Sequence, residues 1–363
     1  MTDSRSLERW ATWREIHRQP EIWRSWAADL AREAGALRRW IAERGVEEVW
    51  LCGAGSSSFI GEIAAAGAGR PGPRLRAVPT TDYVAAPQDF PAPKGRLLVV
   101  QFSRSGDSSE SVGMLDLLDQ LLPEADRLHV TCNPEGTLAT RAHPGPGELR
   151  LLLPPEAAHD QGFAMTSSVS CMLLGALAVF DPETDAARAL PILAEGAEEL
   201  LERLKDWAQP RPDRAFFLGS GALKFAARES ALKVLELTAG RVNAAWDSPL
   251  GFRHGPKSAV EPDAQVYVLL HPDHRTARYD SDLAEEVARQ YPEAEVRTIG
   301  TGGEIPAQGL GKARWDAVLH IIPAQMLAAR WSDGLGLNVD DPFKGQGSLT
   351  RVVAGVKLYR FEP

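Results

Sequence analysis

Cysteine is scarce in this chain of 363 residues, which contains only three. Cys52, Cys132 and Cys171 are far apart, and no C-x-x-C pair or histidine-rich tract accompanies them. Closely spaced cysteines are typical of zinc sites and of the disulfide frameworks of small secreted domains. The sequence therefore predicts buried free thiols in a reducing compartment, and no metal site.

Long apolar runs and basic runs are also lacking. The longest apolar stretch, residues 169–180, is shorter than the roughly 20 residues of a membrane-spanning helix, so we expect a core helix there. Asp3, Arg5 and Glu8 break the pattern of a signal peptide. A net charge of −9 disfavours a nucleic-acid surface. These features predict a cytoplasmic protein that binds neither membrane nor nucleic acid.

The length of the chain exceeds the size at which one hydrophobic core keeps growing, so we expect two domains. Residues 7–43 carry helical periodicity, and Pro20 predicts the start of a second helix within them. We predict an amino-terminal helical extension over residues 1–45, a first domain over 46–195 and a second over 196–363.

From residue 46 the sequence alternates between strand, glycine-rich turn and helix. The predicted strands cover residues 49–52, 76–79, 97–100, 128–132 and 149–153 in the first half, then 215–218, 265–270, 295–298 and 317–322 in the second. Such alternation indicates an α/β fold in which each domain is a doubly wound parallel sheet flanked by helices. The openings Gly53-Ala54-Gly55 and Gly219-Ser220-Gly221 indicate that the two halves are related.

Serine is concentrated at one turn of the first half. The segment 103–111, Ser-Arg-Ser-Gly-Asp-Ser-Ser-Glu-Ser, follows a buried apolar strand and precedes a predicted helix. At the amino end of a helix the unpaired N–H groups and the helix dipole favour an anion, and serine hydroxyls add donors. The segment therefore predicts a phosphate site built from dipoles rather than lysines.

A second serine-rich turn follows Gly53-Ala54-Gly55. Half of a dinucleotide-binding fingerprint is one interpretation, but Ser58 stands where the third glycine belongs. Another is that residues 56–58 only cap a helix. Because two neighbouring turns are equally rich in serine, a second hydroxyl-lined part of the phosphate site is the interpretation we favour.

Glu229, Lys233 and Glu236 have the spacing i, i+4 and i+7, so they share one helix face. An ordinary solvated face with an ion pair produces the same pattern. The functional alternative is a carboxylate held near an ammonium group and available as a proton-transfer base.

His254 lies in the segment 246–257, directly before Gly255-Pro256. This is a turn with a restricted backbone, on a loop, where functional residues concentrate. The other histidines of the chain lack such a setting.

These motifs resemble the sugar isomerase (SIS) family, whose members include the isomerase portion of glucosamine-6-phosphate synthase. The resemblance covers nearly the whole chain after the helical extension and implies two tandem SIS domains. Three segments make it closer to the galactosamine-6-phosphate deaminase/isomerases, formerly described as tagatose-6-phosphate ketose/aldose isomerases. These segments are Trp13-Arg14-Glu15-Ile16, Phe163-Ala164-Met165-Thr166-Ser167-Ser168 and the stretch 248–256.

The resemblance implies roles for individual residues. The residues around the 6-phosphate of the sugar would be Ser57, Ser103, Arg104, Ser105 and Ser108. Glu236 would be the isomerisation base, His254 would open the sugar ring, and Glu229 and Lys233 would belong to the catalytic helix. Arg351 would be the counterpart of a lysine in the tail of the synthase, although the tail of this chain departs from the synthase pattern. A homodimer is implied as well, because in the synthase the histidine reaches the site of the neighbouring subunit.

The implied activity is that of an amino-sugar 6-phosphate deaminase/isomerase without metal or redox cofactor. No glutaminase domain precedes the SIS halves and residue 2 is threonine, so we expect release of an amino group rather than amino-sugar synthesis. Three alternatives stay open: a simple aldose–ketose isomerase, a fructosamine-6-phosphate deglycase and a sugar-phosphate sensor without turnover. The sequence does not distinguish the galacto from the gluco configuration of the substrate.

Overall fold

The structure is a computed structural model that describes residues 4–69, 72–347 and 349–362. The chain forms two compact units. The first sheet lies in a unit made of the described parts of 25–159, 167–188 and 349–362. The second sheet lies in a unit made of residues up to 24, of 160–166 and of 189–347. These units are discontinuous in sequence, and the linear boundaries at residues 45 and 195 stay a prediction.

The amino-terminal segment forms α1 (Ser4–Leu7) and one long helix, α2 (Ala11–Glu43), which contains Pro20. The expected second helix start at Pro20 is therefore wrong. Proline lacks the N–H that would bond the carbonyl of Ile16, but Gln19 Nε2 donates to that carbonyl oxygen at 3.1 Å. Because the side chain supplies the missing donor, the helix continues through the proline.

The first sheet contains five parallel strands in the order β2-β1-β3-β4-β5. Its strands are β1 (Glu48–Cys52), β2 (Arg74–Ala77), β3 (Leu97–Ser103), β4 (Asp126–Thr131) and β5 (Leu149–Leu152). Its helices are α3 (Ser56–Ala65), α4 (Thr80–Ala85), α5 (Ser109–Leu121), α6 (Thr137–Thr140) and α7 (Ser167–Phe180), with 3-10 turns at Pro87–Asp89 and Glu156–Ala158. Every residue of β3 and β4 is buried, as expected for a parallel sheet covered on both faces.

The second sheet contains four parallel strands in the order β7-β6-β8-β9. Its strands are β6 (Arg214–Gly219), β7 (Asn243–Asp247), β8 (Gln265–Leu269) and β9 (Glu295–Ile299). The helices of the second half are α8 (Ala186–Leu204), α9 (Ala222–Leu237), α10 (Pro249–Phe252), α11 (His274–Gln290) and α12 (Ala313–Gly334), with a 3-10 turn at Pro256–Ala259. The α/β class with doubly wound parallel sheets is confirmed.

In the second half one strand prediction was wrong and one strand was not predicted. Residues 317–322 lie inside α12, whose residues from Trp315 to Ser332 are all buried. A helix buried all round has no polar face, so a short piece of it reads like a buried strand. The edge strand β7 was not predicted, because its alternating Asn243-Ala244-Ala245-Trp246-Asp247 contains little β-branched or aliphatic sequence.

The two halves open with the same turn. Gly55 has φ 57° and ψ −131°, and Gly221 has φ 58° and ψ −127°. A Cβ on Gly53 would lie 2.4 Å from the carbonyl oxygen of Ser57, and one on Gly219 would lie 2.4 Å from that of Leu223. In each half the second glycine has a positive φ, and the first lets the helix approach the strand closely. The internal repeat predicted from the sequence is therefore present in the backbone.

Cys52, Cys132 and Cys171 are buried and are not joined in disulfides, as predicted. In the described part of the chain, no helix combines the length and the apolar character needed to cross a bilayer. Over the same residues, no group of three or more histidine, cysteine, aspartate or glutamate side chains is suited to a metal ion.

Candidate active site

Three serines open α3 directly after β1. Ser56, Ser57 and Ser58 are all buried, and the amides of Ser57 and Ser58 bond the carbonyl oxygens of Ala54 and Gly55 at 3.2 and 2.9 Å. The positive φ of Gly55 turns the chain so that these hydroxyls gather at the amino end of the helix. The turn therefore places buried hydroxyl groups at the carboxyl edge of the sheet, where doubly wound folds bind ligands.

The serine-rich turn between β3 and α5 is closed by its own hydroxyl groups. The amide of Gly106 donates to Ser103 Oγ at 3.0 Å, and the amide of Asp107 donates to Ser105 Oγ at 3.3 Å. Ser108 caps α5 by accepting from the amide of Ser111 at 3.3 Å. These bonds hold the turn in one conformation, with its serines beside the amino end of a helix.

Residues that follow β4 support this turn from outside. Asn133 Nδ2 donates to the carbonyl oxygen of Ser105 at 2.9 Å. Asp107 Oδ1 accepts from both the amide and the hydroxyl of Thr137 at 2.8 Å. Sequence reasoning did not foresee the support from Asn133 and Thr137, although both lie in a turn whose polar composition was visible.

Arg104 connects the turn to the carboxyl-terminal tail, residues 349–362. Its side chain is buried, and its guanidinium donates to the main-chain carbonyl of Arg351 at 2.9 Å. The amide of Ser109, the first residue of α5, donates to the carbonyl of Val353 at 3.0 Å. The tail therefore touches the predicted phosphate turn through two backbone carbonyls.

The helix α9 carries the predicted catalytic residues. Lys233 Nζ lies 3.4 Å from Glu229 Oε1 and 2.5 Å from Glu236 Oε2. The side chains of Glu229 and Lys233 are completely buried, where α9 packs against β6, β7 and α12. The alternative of an ordinary solvated face is therefore wrong. A charged group this deeply buried is retained only when it is paired.

Exposure distinguishes the two carboxylates of this trio. The side chain of Glu236 is 22% exposed, whereas that of Glu229 is 0% exposed. Only the Glu236 carboxylate can meet a substrate without a rearrangement of the core. This arrangement suits a general base, Glu236, whose counter-ion Lys233 is fixed in the protein interior.

His254 lies in a turn whose ends are buried. Ser248 caps α10 by accepting from the amide of Gly251 at 3.1 Å, and Phe252 packs on Phe216 in the core of the second unit. The His254 ring is exposed, and among the described residues it makes no hydrogen bond or ion pair. The imidazole is thus presented to solvent by a fixed turn.

The predicted site residues fall into two groups. Ser57, Ser103, Arg104, Ser105, Ser108 and Arg351 lie in the unit of the first sheet. Glu229, Lys233, Glu236 and His254 lie in the unit of the second sheet. Within each group the residues occupy the expected strand ends, helix face and loop, while their roles stay predictions.

The first sequence segment behind the family resemblance contacts the residues that directly precede the second. Glu15, in the first segment, accepts hydrogen bonds from the amides of Gln161 and Gly162, which directly precede the second segment at Phe163. Burial, followed by the charge of Asp160, raises the pKa of Glu15 to about 7. A buried carboxylate on a distant helix thus fixes the start of the 163–168 segment, a role that the sequence did not reveal.

Comparison with known proteins identifies the family, although no family model matches the chain. An AgaS protein of Streptomyces coelicolor is 41% identical over 376 residues, covering 96% of this chain and 95% of that protein. The D-galactosamine-6-phosphate deaminase AgaS of Escherichia coli is 38% identical over 372 residues, covering 97% and 96%. The chain belongs to the AgaS group of the sugar isomerase (SIS) family.

Solved structures agree with the AgaS assignment. The crystal structure of tagatose-6-phosphate ketose/aldose isomerase from Escherichia coli has a TM-score of 0.84, 35% identity and coverage of 97% of both chains. A more distant SIS relative is the glutamine–fructose-6-phosphate aminotransferase of Lactiplantibacillus plantarum. It is 24% identical over 93% of this chain but only 57% of that longer protein.

Proposed function

We propose that this AgaS protein is a hexosamine 6-phosphate deaminase/isomerase, which converts galactosamine or glucosamine 6-phosphate to the ketose 6-phosphate and ammonia. The observation that carries the proposal is the buried trio on α9, in which Glu236 alone reaches solvent and Lys233 lies 2.5 Å behind it. The deaminase activity named for the Escherichia coli relative supports the same reaction class.

The substrate would be held by its phosphate. Ser57, Ser103, Arg104, Ser105 and Ser108 supply hydroxyls, amides and one buried guanidinium at two helix amino ends. Such donors suit a phosphate dianion. Binding at a group remote from the reacting carbons provides energy that positions the sugar for reaction.

Glu236 would transfer the proton. In the open-chain aldose it removes the proton from C2, which the adjacent C1 carbonyl makes acidic, and returns it to C1. The enolamine intermediate becomes a ketimine at C2. Water then adds to the ketimine carbon and ammonia leaves, giving the ketose phosphate. The carbon–nitrogen cleavage is therefore hydrolytic and consumes one water.

His254 and Lys233 would assist. His254 opens the sugar ring by moving a proton from O1 to O5, a task suited to an imidazole because its two ring nitrogens can donate and accept a proton. An ammonium group on the catalytic helix could stabilise the developing oxyanion, which is one role for Lys233. Its complete burial and its short contact with Glu236 favour a different role, in which it holds the carboxylate of the base in position.

The decisive variant is Glu236→Gln, assayed for ammonia release from galactosamine 6-phosphate. We expect a loss of about 10²–10⁴-fold in kcat, the usual contribution of a positioned acid–base group. Glu199→Gln, at an exposed position of α8, is the matched control and should behave as wild type. A folded Glu236→Gln protein with near-wild-type turnover would refute the assignment.

A substrate panel separates the alternatives. Hexosamine and hexose 6-phosphates are scored for both ammonia and ketose. Ketose without ammonia from hexose phosphates alone indicates a simple isomerase, and activity only on fructosamine 6-phosphates indicates a deglycase. Thermal stabilisation by these ligands without any product indicates a sensor.

We also propose that the protein is a cytoplasmic homodimer in which His254 acts across the interface. The support is the exposure of the His254 ring in the single chain. Mixing inactive Glu236→Gln and His254→Asn subunits tests this arrangement. Hybrid dimers regain activity if the two residues serve one site from different subunits, and remain inactive if each chain supplies both.

A further inference from the structure

The turn that presents His254 is held on both sides by a single carboxylate. Glu286 Oε2 accepts from Arg253 Nε at 2.7 Å, and Glu286 Oε1 pairs with the ammonium group of Lys257. Arg253 directly precedes His254, and Lys257 follows it by three residues. One side chain of α11 therefore bridges the residues that flank the imidazole.

The two ends of the same turn are anchored in a hydrophobic core that includes α11. Phe252 and Val260 are buried in one cluster with Leu283 and Val287. Glu286 precedes Val287, so its backbone is fixed by this packing. The residues between the two anchors are all half-buried or exposed, and Gly255 has a φ of 135°, which other residue types rarely adopt. Among the described residues, the ion pairs of Glu286 join this stretch to α11.

We propose that Glu286 is a positioning residue for His254, and that its two ion pairs keep the imidazole where ring opening requires it. This inference rests on the proposed function. Ion pairs that are partly exposed add little to global stability, so the effect of Glu286 is confined to the turn. A displacement of about 1 Å in a catalytic group can cost roughly 10²-fold in rate, which makes such a local constraint measurable.

The test is a double-mutant cycle with Glu286→Gln and His254→Asn. In the wild-type background, Glu286→Gln lowers kcat/KM for galactosamine 6-phosphate by at least about tenfold. In the His254→Asn background, the same change lowers it by less than about twofold, because the group being positioned is absent. Glu285→Gln, at the adjacent exposed position of α11, is the matched control and stays within about twofold of wild type.

Each other outcome overturns the inference. If Glu286→Gln equals Glu285→Gln, the turn needs no such constraint. If Glu286→Gln costs the same factor in both backgrounds, Glu286 acts on something other than His254. Should Glu286→Gln fail to fold, the pair Arg253→Gln and Lys257→Gln breaks the same contacts from the turn and is read by the same cycle.

A wrong assignment of the function would give a different result from a wrong assignment of Glu286. It would appear in the wild-type protein as an absence of ammonia release. If the wild type forms ketose from a hexose 6-phosphate instead, ring opening still precedes proton transfer, and the cycle is run on that reaction. The positioning role of Glu286 is then judged independently of deamination.

Discussion

Lys233 Nζ lies 2.5 Å from Glu236 Oε2 and 3.4 Å from Glu229 Oε1, so one buried ammonium group serves two carboxylates on the same helix. The carboxylate at the shorter distance is the one that reaches solvent. The Lys233 side chain therefore contributes both to the stability of the second unit, through Glu229, and to the position of the proposed base, Glu236. A substitution at Lys233 can therefore be followed both by the free energy of unfolding and by enzyme activity.

Removal of the Lys233 charge is expected to destabilise the fold. Lys233→Met leaves the Glu229 carboxylate buried without its counter-ion, and losing one partner of a buried pair costs about 3–5 kcal/mol. Urea unfolding measures the loss. Lys224→Met, on the same helix at a partly exposed position, should cost less than about 1 kcal/mol. An equal loss in the free energy of unfolding for the two variants would show that the buried ion pair does not stabilise the protein more than an exposed one.

Glu15 predicts a pH-dependent stability. Its pKa is about 7 in the folded protein, against an ordinary value of 4.5 for a glutamate, so the folded state binds the proton more tightly than the unfolded chain. The free energy of unfolding therefore falls as the pH rises from about 4.5 to 7, by up to about 3 kcal/mol from this group. Glu15→Gln does not titrate, so it gains stability relative to wild type between pH 5 and pH 8. Urea unfolding at both pH values tests this, and parallel profiles for the two proteins would contradict it.

We expect the side-chain amide of Gln19 to stabilise the folded protein. Its Nε2 donates to the carbonyl oxygen that Pro20 leaves without a partner and to Gln325 Oε1 at 2.9 Å. Gln19→Ala leaves buried acceptors unsatisfied, which costs about 1–3 kcal/mol. Thermal or urea unfolding measures it. Arg18→Ala, at an exposed neighbouring position, should change stability by less than about 0.5 kcal/mol, and a similar value for Gln19→Ala would refute the role of its amide.

Removal of residues 349–363 should weaken substrate binding. The deletion takes away the carbonyl that holds the guanidinium of Arg104 and the carbonyl bonded to the amide of Ser109. A hydrogen bond to a charged group is worth about 1.5–3 kcal/mol, so we expect KM for the sugar phosphate to rise by about tenfold or more. Steady-state kinetics and inorganic phosphate binding check this expectation. Unchanged phosphate affinity in the shortened protein would show that the tail does not organise Arg104.

The sequence predicted the fold well wherever local patterns repeat. The strands before Ser57 and Ser103 were found because a buried apolar run meets a serine- and glycine-rich turn at each place. Residues 317–322 were misread because α12 is buried on every side. The continuation of α2 through Pro20 depends on the side chain of its neighbour, which no propensity scale contains.

The candidate site was predictable only in part, for a similar reason. Glu236 and His254 belong to recognisable local segments. Glu286 is a single glutamate on an amphipathic helix and carries no distinguishing signal. Glu15 belongs to a recognisable segment, but its contact with Gln161 and Gly162, 146 and 147 residues away, could not be read from that segment. Long-range pairs of this kind become visible only once the fold has brought the segments together.

The tail meets Arg104 and Ser109 through main-chain oxygens, which every amino acid possesses. Such a contact places almost no demand on which side chains stand at positions 351 and 353. It does require that the chain be long enough and follow the right path. These two contacts are therefore sensitive to the length and path of the tail, and much less to the side chains of the two residues that supply the carbonyls.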